Sequence, residues 1–386
     1  MIPRTAEPLV HELLAGFPIV TVTGPRQSGK TTLARAVMGE RPYVSLEDPD
    51  VRALATDDPR GFLSRFSDGA ILDEVQRAPE LFSYLQTAVD QDGRMGRFLL
   101  TGSQQFGLLS EISQSLAGRS AFVELLPLTL EELNAVGARP PELETVLFTG
   151  GYPDIYDRPV SPRHWFPAYV TAYVERDVRQ LLQVHDLAAF QRFIRLCAGR
   201  SGQLLNLSSL ATDCGITHNT AKAWISVLEA SYVLFLLRPH HANFNKRLIK
   251  APKLYFHDTG LLCWLLGLQA PEQLMVHPLR GAVFETFVVS ELRKRCLNRG
   301  EPPSFYFWRD SNGNEVDLLI ERAGRLIPVE IKSGQTLNRD FFTGLERWTK
   351  LAGSLAHSPT LVYGGEGQQT RNGVQILGWE QLDALV

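Results

Sequence analysis

The sequence predicts an α/β fold in three parts: a parallel sheet with flanking helices, then a helical and winged-helix segment, then a second α/β domain. Three observations carry that expectation. Apolar runs that read as strands alternate with helical stretches between residues 19 and 125. A glycine-bearing stretch, Gly24-Pro25-Arg26-Gln27-Ser28-Gly29-Lys30-Thr31, joins the first strand of that series to its first helix. Far down the chain, a long amphipathic stretch precedes two apolar runs, 315–320 and 326–332. The boundaries expected are 1–130, 131–200, 201–253 and 254–386.

Each element has a local reason. Leu9, Leu13 and Leu14 recur at helical spacing and predict a leading helix. Residues 19–23 form the first apolar strand, and 43–46 a second, ended by Glu47-Asp48-Pro49. Two helical segments reach Phe66. A third strand over 70–74 ends in two acids, Asp73 and Glu74. A helix over 79–89, a strand over 97–103, a helix over 108–116 stopped at Gly118 and a strand over 121–125 complete the alternation. After Pro127 the strands give out. Residues 129–200 read as mostly helical, broken by Gly150-Gly151-Tyr152-Pro153 and the proline-bearing stretch 159–167. A short helix over 207–213, a turn at Gly215, a helix over 218–230 capped by Thr217 and a strand over 233–237 make a winged-helix pattern. In the last part, Phe284, Phe287, Val288 and Leu292 stripe a helix over 281–296. Strands over 304–308, 315–320 and 326–332 follow, with turns at 310–314 and 323–324.

Composition narrows the class. With 44% hydrophobic and 21% charged residues, the chain reads as ordinary soluble protein. No run approaches the roughly 18 apolar residues of a membrane span, and residues 1–7 lack the apolar core of a signal peptide, so a cytoplasmic location is expected. Cys197, Cys214, Cys263 and Cys296 are far apart, which predicts buried free thiols rather than zinc or disulfides. The net charge of −3 offers no general attraction to nucleic acid, so local patches decide. One exists: between residues 230 and 257 stand Arg238, Lys246, Arg247, Lys250 and Lys253, with no acid. These suit contacts to a phosphate backbone, and His218, Asn219, Lys222 and Trp224 on the preceding helix are candidates to face a groove. DNA is the partner this implies; a winged helix used for packing or oligomerisation is the alternative.

The glycine-bearing stretch has the spacing Gly-x-x-x-x-Gly-Lys-Thr, which is that of a phosphate-binding loop. The glycines let successive N–H groups turn inward onto phosphate oxygens, and the helix start adds free N–H groups. Gly24, Pro25, Arg26, Gln27, Ser28, Gly29, Lys30, Thr31 and Thr32 are therefore the expected nucleotide-binding residues. Lys30 would reach the β- and γ-phosphates of ATP, and the Thr31 hydroxyl would ligate Mg²⁺. Asp73, at a strand end, is expected to hold the metal, and Glu74 to deprotonate the attacking water. Ser103 is expected either to contact the γ-phosphate or the attacking water, or to cap a helix. Arg119 is expected either to serve a neighbouring subunit's γ-phosphate, which implies a homo-oligomer, or to be an ordinary surface arginine.

With Gly24 to Thr31, then Leu72-Asp73-Glu74-Val75-Gln76, then Leu100-Thr101-Gly102-Ser103, residues 17–127 resemble an AAA+ type ATPase domain. The branch is the one with an extra strand between the loop strand and the Asp-Glu strand. The order of motifs, with Gly150-Gly151-Tyr152-Pro153, Tyr173-Val174-Glu175-Arg176-Asp177 and His257-Asp258-Thr259-Gly260-Leu261, resembles a large family of prokaryotic ATPases. In that family a C-terminal domain of unknown function follows the P-loop NTPase domain.

A second constellation lies in the last domain. Glu330 and Lys332 alternate in an apolar strand, so both charges share one face and need partners or a metal there. Asp317 comes close if the two strands form a hairpin, Glu315 shares its face, and Glu285 and Glu291 lie on the helix before. Carboxylates of this kind hold Mg²⁺, while a lysine positions water for attack on a phosphodiester. Asp317, Glu330-Ile331-Lys332 and Glu285 together resemble the restriction-endonuclease-like superfamily. The likeness implies Asp317 and Glu330 as metal ligands, Lys332 as catalytic lysine and Glu285 as a further metal-binding acid. Two functions are carried forward: an ATPase that binds and cleaves DNA, and a nucleotide-dependent switch that binds a protein partner through a non-catalytic nuclease-like scaffold.

Overall fold

The computed structural model describes residues 2–103, 116–174, 186–240 and 249–386. The expected helix over 108–116 therefore lies almost wholly outside the described residues, as do Lys246, Arg247 and part of the 173–177 segment.

The first sheet is built from β1 (Ile19–Thr23), β2 (Tyr43–Ser45), β3 (Ala70–Asp73), β4 (Phe98–Gly102) and β5 (Ser120–Glu124). Its order is β2-β3-β4-β1-β5, and every pairing is parallel. A parallel sheet needs cover on both faces, and strand alternation supplies it. Ile71 and Leu99 pack under Val20, Val22 and Leu33 on one face, while Leu72 and Leu100 pack with Phe62 and Phe82 on the other. One strand, β4, stands between β1 and β3. The C-terminal ends of β1, β3 and β4 therefore meet at one edge, bringing the loop after Thr23 to Asp73 and Ser103.

The middle of the chain is helical, with helices at Leu130–Ala135, Leu143–Thr149, Pro153–Asp157, Pro162–Tyr169 and Leu187–Ala198. Helices Leu207–Cys214 and His218–Ala230 follow, then the antiparallel pair β6 (Leu234–Leu237) and β7 (Lys253–Phe256). Thr217 caps the second of these helices, its Oγ1 accepting from Thr220 N at 3.1 Å. His218, Asn219 and Lys222 are exposed on it. Trp224 is not: it is 5% exposed and meets Phe190 and Phe193 edge-on, with centroids 5.4 and 5.1 Å away. The indole is a core side chain rather than a groove contact, because burying so large an apolar ring outweighs presenting it to solvent.

The third part contains the helix Arg280–Asn298 and strands β8 (Phe305–Arg309), β9 (Glu315–Arg322), β10 (Arg325–Lys332), β11 (Thr360–Tyr363), β12 (Gln368–Arg371) and β13 (Val374–Gly378). Its order is β12-β13-β11-β10-β9-β8. β8, β9 and β10 are antiparallel neighbours, whereas β10 and β11 are parallel and joined through the helix Thr343–Ala352. The boundary expected after residue 253 falls on the first residue of β7, which pairs with β6. A large apolar cluster containing Phe190, Leu228, Phe256, Phe284 and Val329 joins the segments after Leu130, with smaller clusters around Trp348 and Leu345 in the last domain. The helical, winged-helix and C-terminal segments thus share one core. All four cysteines are free and buried. No helix among the described residues is long and apolar enough to cross a membrane.

Candidate functional site

The loop after β1 has two positions that only glycine suits. Gly24 has φ +148°, and a Cβ there would lie 2.1 Å from Leu125 O. Gly29 has φ +91° and caps the helix Lys30–Met38 in the left-handed region. Lys30 is buried, and its ammonium donates to Gly24 O at 3.0 Å and Pro25 O at 2.7 Å, lying across the loop's own carbonyls. Arg4 braces the loop from behind. It donates to Ser28 O at 2.6 Å and Leu126 O at 2.7 Å, and pairs with buried Glu132 at 2.9 Å. A single arginine upstream of the motif gives no sequence signal of that role. Thr32, in the first helical turn, is exposed.

The strand ends bring the expected acids to the loop. Asp73 Oδ2 accepts from Thr31 Oγ1 at 3.2 Å and from Tyr43 OH at 2.5 Å, and Oδ1 accepts from Thr101 Oγ1. Burial and the Asp73 carboxylate push the Tyr43 hydroxyl up to about 12, so it remains a donor. A threonine hydroxyl and a carboxylate converging beside a phosphate loop are the hard oxygen ligands Mg²⁺ takes. Glu74 sits in the left-handed region, at φ 56° and ψ 44°. Ser103 Oγ donates to its Oε2 at 3.2 Å, and Gln76 Nε2 donates to the same oxygen. On the other oxygen, Arg26 Nη1 stands 3.8 Å from Glu74 Oε1. Tyr43 has no motif of its own in the sequence, and Thr101 stands within the Leu100-Thr101-Gly102-Ser103 run without a signal of this role.

Arg119 stands apart. It immediately precedes β5, at the N-terminal edge of the sheet beside Ile19. At about 3.3 Å per residue the length of β1 separates it from its own loop by roughly 16 Å. Its Nε and Nη2 donate to Asp90 at 2.5 and 2.8 Å. So far from its own loop, it is placed as an ordinary surface arginine paired with Asp90 or to meet a neighbouring chain's phosphate.

The second constellation is gathered around two lysines. Asp317 Oδ2 accepts from Ile331 N at 2.9 Å and lies 3.6 Å from Lys332 Nζ, which also meets Glu330 Oε1 at 2.6 Å. Burial, reinforced by Asp317 and opposed by Lys332, raises the Glu330 carboxyl to about 7. Its Oε2 is buried with no hydrogen-bond partner, a free oxygen of the kind a hard cation would take. Lys332 is pushed up to about 12: burial opposes its charge, but Asp317 and Glu330 outweigh it.

Lys253 is not a surface contact for a phosphate backbone: it is 2% exposed, with its ammonium 2.9 Å from Glu285 Oε1, against Glu315, and 4.0 Å from Asp317 Oδ1. Burial works against that charge, yet Tyr255, Glu285, Asp317 and Glu315 hold its proton well above the usual lysine range. Glu285 in turn faces Lys253, the lysine that also approaches Asp317, and accepts from Tyr255 OH at 2.5 Å. Among the described residues, no group of three or more His, Cys, Asp or Glu side chains is placed to hold a metal ion. Of the three basic residues of the 230–257 interval that are described, Arg238 and Lys250 are exposed.

The helix Arg280–Asn298 runs from the second constellation to the first domain. Glu285 lies in the second. Further along, Arg293 meets Glu124 at 3.3 Å, Lys294 Nζ donates to Leu128 O at 3.2 Å, and Asn298 Nδ2 donates to Thr5 Oγ1 at 2.7 Å. Tyr232 OH also donates to Thr23 Oγ1, at the very end of β1, at 2.8 Å.

A family model described as "AAA domain" matches residues 16–134. Two domains of unknown function, DUF8612 and DUF4143, match residues 140–272 and 280–382. "Uncharacterized protein Rv2008c" of Mycobacterium tuberculosis and "Uncharacterized protein Mb2031c" of Mycobacterium bovis are each 34% identical over 336 residues, 86% of this chain and 74% of theirs. Among solved structures, the Walker-type ATPase paby2304 of Pyrococcus abyssi is similar with a TM-score of 0.46 at 16% identity, over 69% of this chain and 96% of that one.

Proposed function

The chain belongs to one family with the mycobacterial proteins Rv2008c and Mb2031c and carries an AAA domain over residues 16–134, and from that premise we propose that it binds and hydrolyses ATP. The observation that carries the reading is the meeting of Thr31, Asp73, Glu74 and Ser103 at the loop edge of one parallel sheet. Loop N–H groups and Lys30 hold the phosphates, with the lysine leaving the carbonyls of Gly24 and Pro25. Thr31 and Asp73 would hold Mg²⁺, which supplies charge neutralisation at the phosphate oxygens. Glu74 takes the proton of the attacking water, and Ser103 keeps its carboxylate oriented. Arg119, at the far edge, contributes only across a boundary between copies, so its use in catalysis requires a homo-oligomer. The test is steady-state ATP turnover with Mg²⁺. Lys30→Ala is expected to lose at least about 10²-fold in turnover, because it removes a cation from the transferring phosphate. An unchanged rate would refute the site.

For the C-terminal domain, the order helix, three antiparallel strands, helix, parallel strand supports a restriction-endonuclease-like fold. Asp317, Glu330 and Lys332 on its central hairpin support phosphodiester cleavage, and exposed Arg238 and Lys250 suit contacts to DNA phosphates. Lys253 favours a second reading. A buried ammonium among Glu285, Glu315 and Asp317 already supplies the positive charge those acids would take from a metal. The domain would then be a scaffold that passes the nucleotide state to a protein partner. DNA cleavage by wild type, Asp317→Ala and Lys332→Ala in Mg²⁺ and in Mn²⁺ separates the two. The nuclease reading expects both variants to fall by about 10²-fold or more. Equal rates in all three, or no cleavage by wild type, favours the scaffold.

A further inference from the structure

Arg26 is the third residue of the loop, at a position that the Gly-x-x-x-x-Gly-Lys-Thr spacing leaves open. Its guanidinium lies inside the site, 3.8 Å from Glu74 Oε1, with the two side chains only 9% and 13% exposed. The two oxygens of Glu74 are thus treated differently. Oε2 receives the neutral donors Ser103 and Gln76, while Oε1 faces the cation. Lys30 rests on the carbonyls of Gly24 and Pro25, the two residues just before Arg26, so both cations approach the same end of the loop.

Taking Glu74 as the group that acts on water at the terminal phosphorus, a cation beside its carboxylate stands beside the γ-phosphate too. An ionised Glu74 and a γ-phosphate are like charges that must come close, and in a largely buried site that repulsion is weakly screened. A planar guanidinium with five donors can bridge both anions at once. A nucleoside diphosphate has no γ-phosphate and gains nothing from the bridge. We infer that Arg26 is the residue by which this site distinguishes a nucleoside triphosphate from a diphosphate, bridging the γ-phosphate to Glu74 from within the same chain.

This rests on the ATP-hydrolysis reading, and the experiment keeps the two apart. Binding of ADP and of a non-hydrolysable ATP analogue is measured with Mg²⁺ for wild type, Arg26→Ala and Arg26→Lys, alongside ATP turnover. Arg26→Ala is expected to bind the triphosphate analogue about 10- to 100-fold more weakly, the worth of one or two charge-assisted hydrogen bonds, with ADP affinity within about twofold of wild type. Retained ADP binding reports that the loop is folded. Arg26→Lys is expected to recover part of the triphosphate preference, because it restores the charge but not the fork. If Arg26→Ala keeps the wild-type ratio of triphosphate to diphosphate affinity, or loses both ligands equally, the inference is overturned while the ATPase reading stands. If wild type binds neither nucleotide and turns over no ATP, both fall together.

Discussion

Glu74→Gln is expected to bind ATP at least as tightly as wild type and to hydrolyse it about 10²- to 10³-fold more slowly. The substitution preserves shape. An amide oxygen can still accept from Ser103 and Gln76, so the left-handed backbone at residue 74 and the packing around it have no reason to move. What disappears is a base able to take a proton, together with one negative charge near the phosphates. Losing the base slows the chemical step; losing the charge removes a repulsion from the bound state. The two effects separate in single-turnover kinetics set beside equilibrium binding, with the rate falling and the affinity holding or rising. Asp73 offers the contrast. Its carboxylate is held by Thr31, Thr101 and Tyr43, so removing it would disturb binding as well as rate. Turnover by Glu74→Gln within about tenfold of wild type would mean that the base is elsewhere.

The loop site was legible in the sequence because each of its parts is local. A phosphate loop declares itself by spacing within eight residues, and Asp73 and Glu74 by standing at the end of an apolar strand. The shared strand edge that brings in Ser103 follows from the sheet being parallel. Tyr43 and Arg4 reach the same site from residues with no motif of their own, and only the folded chain shows them on Asp73 and Ser28. The basic interval misled for a different reason. Counting charge along the chain treats every lysine as solvated, but Lys253 is the first residue of a strand whose register turns it inward toward Glu285. The interval contains no acid, so nothing nearby in sequence signals that its partners lie 32 to 64 residues further on. Trp224 fails likewise: helix periodicity gives it a face, and the presence of Phe190 and Phe193 on another helix decides that the face is core. Beyond Lys332 the strands are short, and β12, Gln-Gln-Thr-Arg, is wholly exposed, so no apolar alternation marks it.

Lys253→Met is expected to destabilise the C-terminal domain by about 3–5 kcal/mol, the cost of leaving a buried charge without its partner. Methionine keeps nearly the length of the stem, so the change is chiefly electrostatic. Glu315 retains Arg309 at 3.0 Å, and Asp317 retains Lys332 and the Ile331 N–H. Glu285 is left with the Tyr255 hydroxyl alone. Burial already raises the Glu285 carboxyl while Lys253 pulls it down, so removing the lysine sends it further up. That fixes the sign of the pH dependence. A carboxyl whose folded value is raised is protonated more readily in the folded chain than in the unfolded one. Its penalty is absent below the ordinary carboxyl range, near pH 4 to 4.5, and grows as pH rises toward the raised value. The loss of stability in Lys253→Met, followed by chemical denaturation, should therefore be small at low pH and widen steadily toward neutrality. Lowering the charge by a different route should reverse it: Lys253→Met combined with Glu285→Gln is expected to recover most of the lost stability, since a neutral pair replaces a lone buried anion. Divalent cations then decide what the cluster is for. If Mn²⁺ narrows the gap in the single variant and leaves the double variant unmoved, the acids accept a hard cation once the lysine is gone, and Lys253 stands where a metal otherwise would. If Mn²⁺ changes neither, Glu285 and Glu315 serve the ion pair alone, and any metal chemistry in this domain must come from Asp317 and Glu330 beside Lys332.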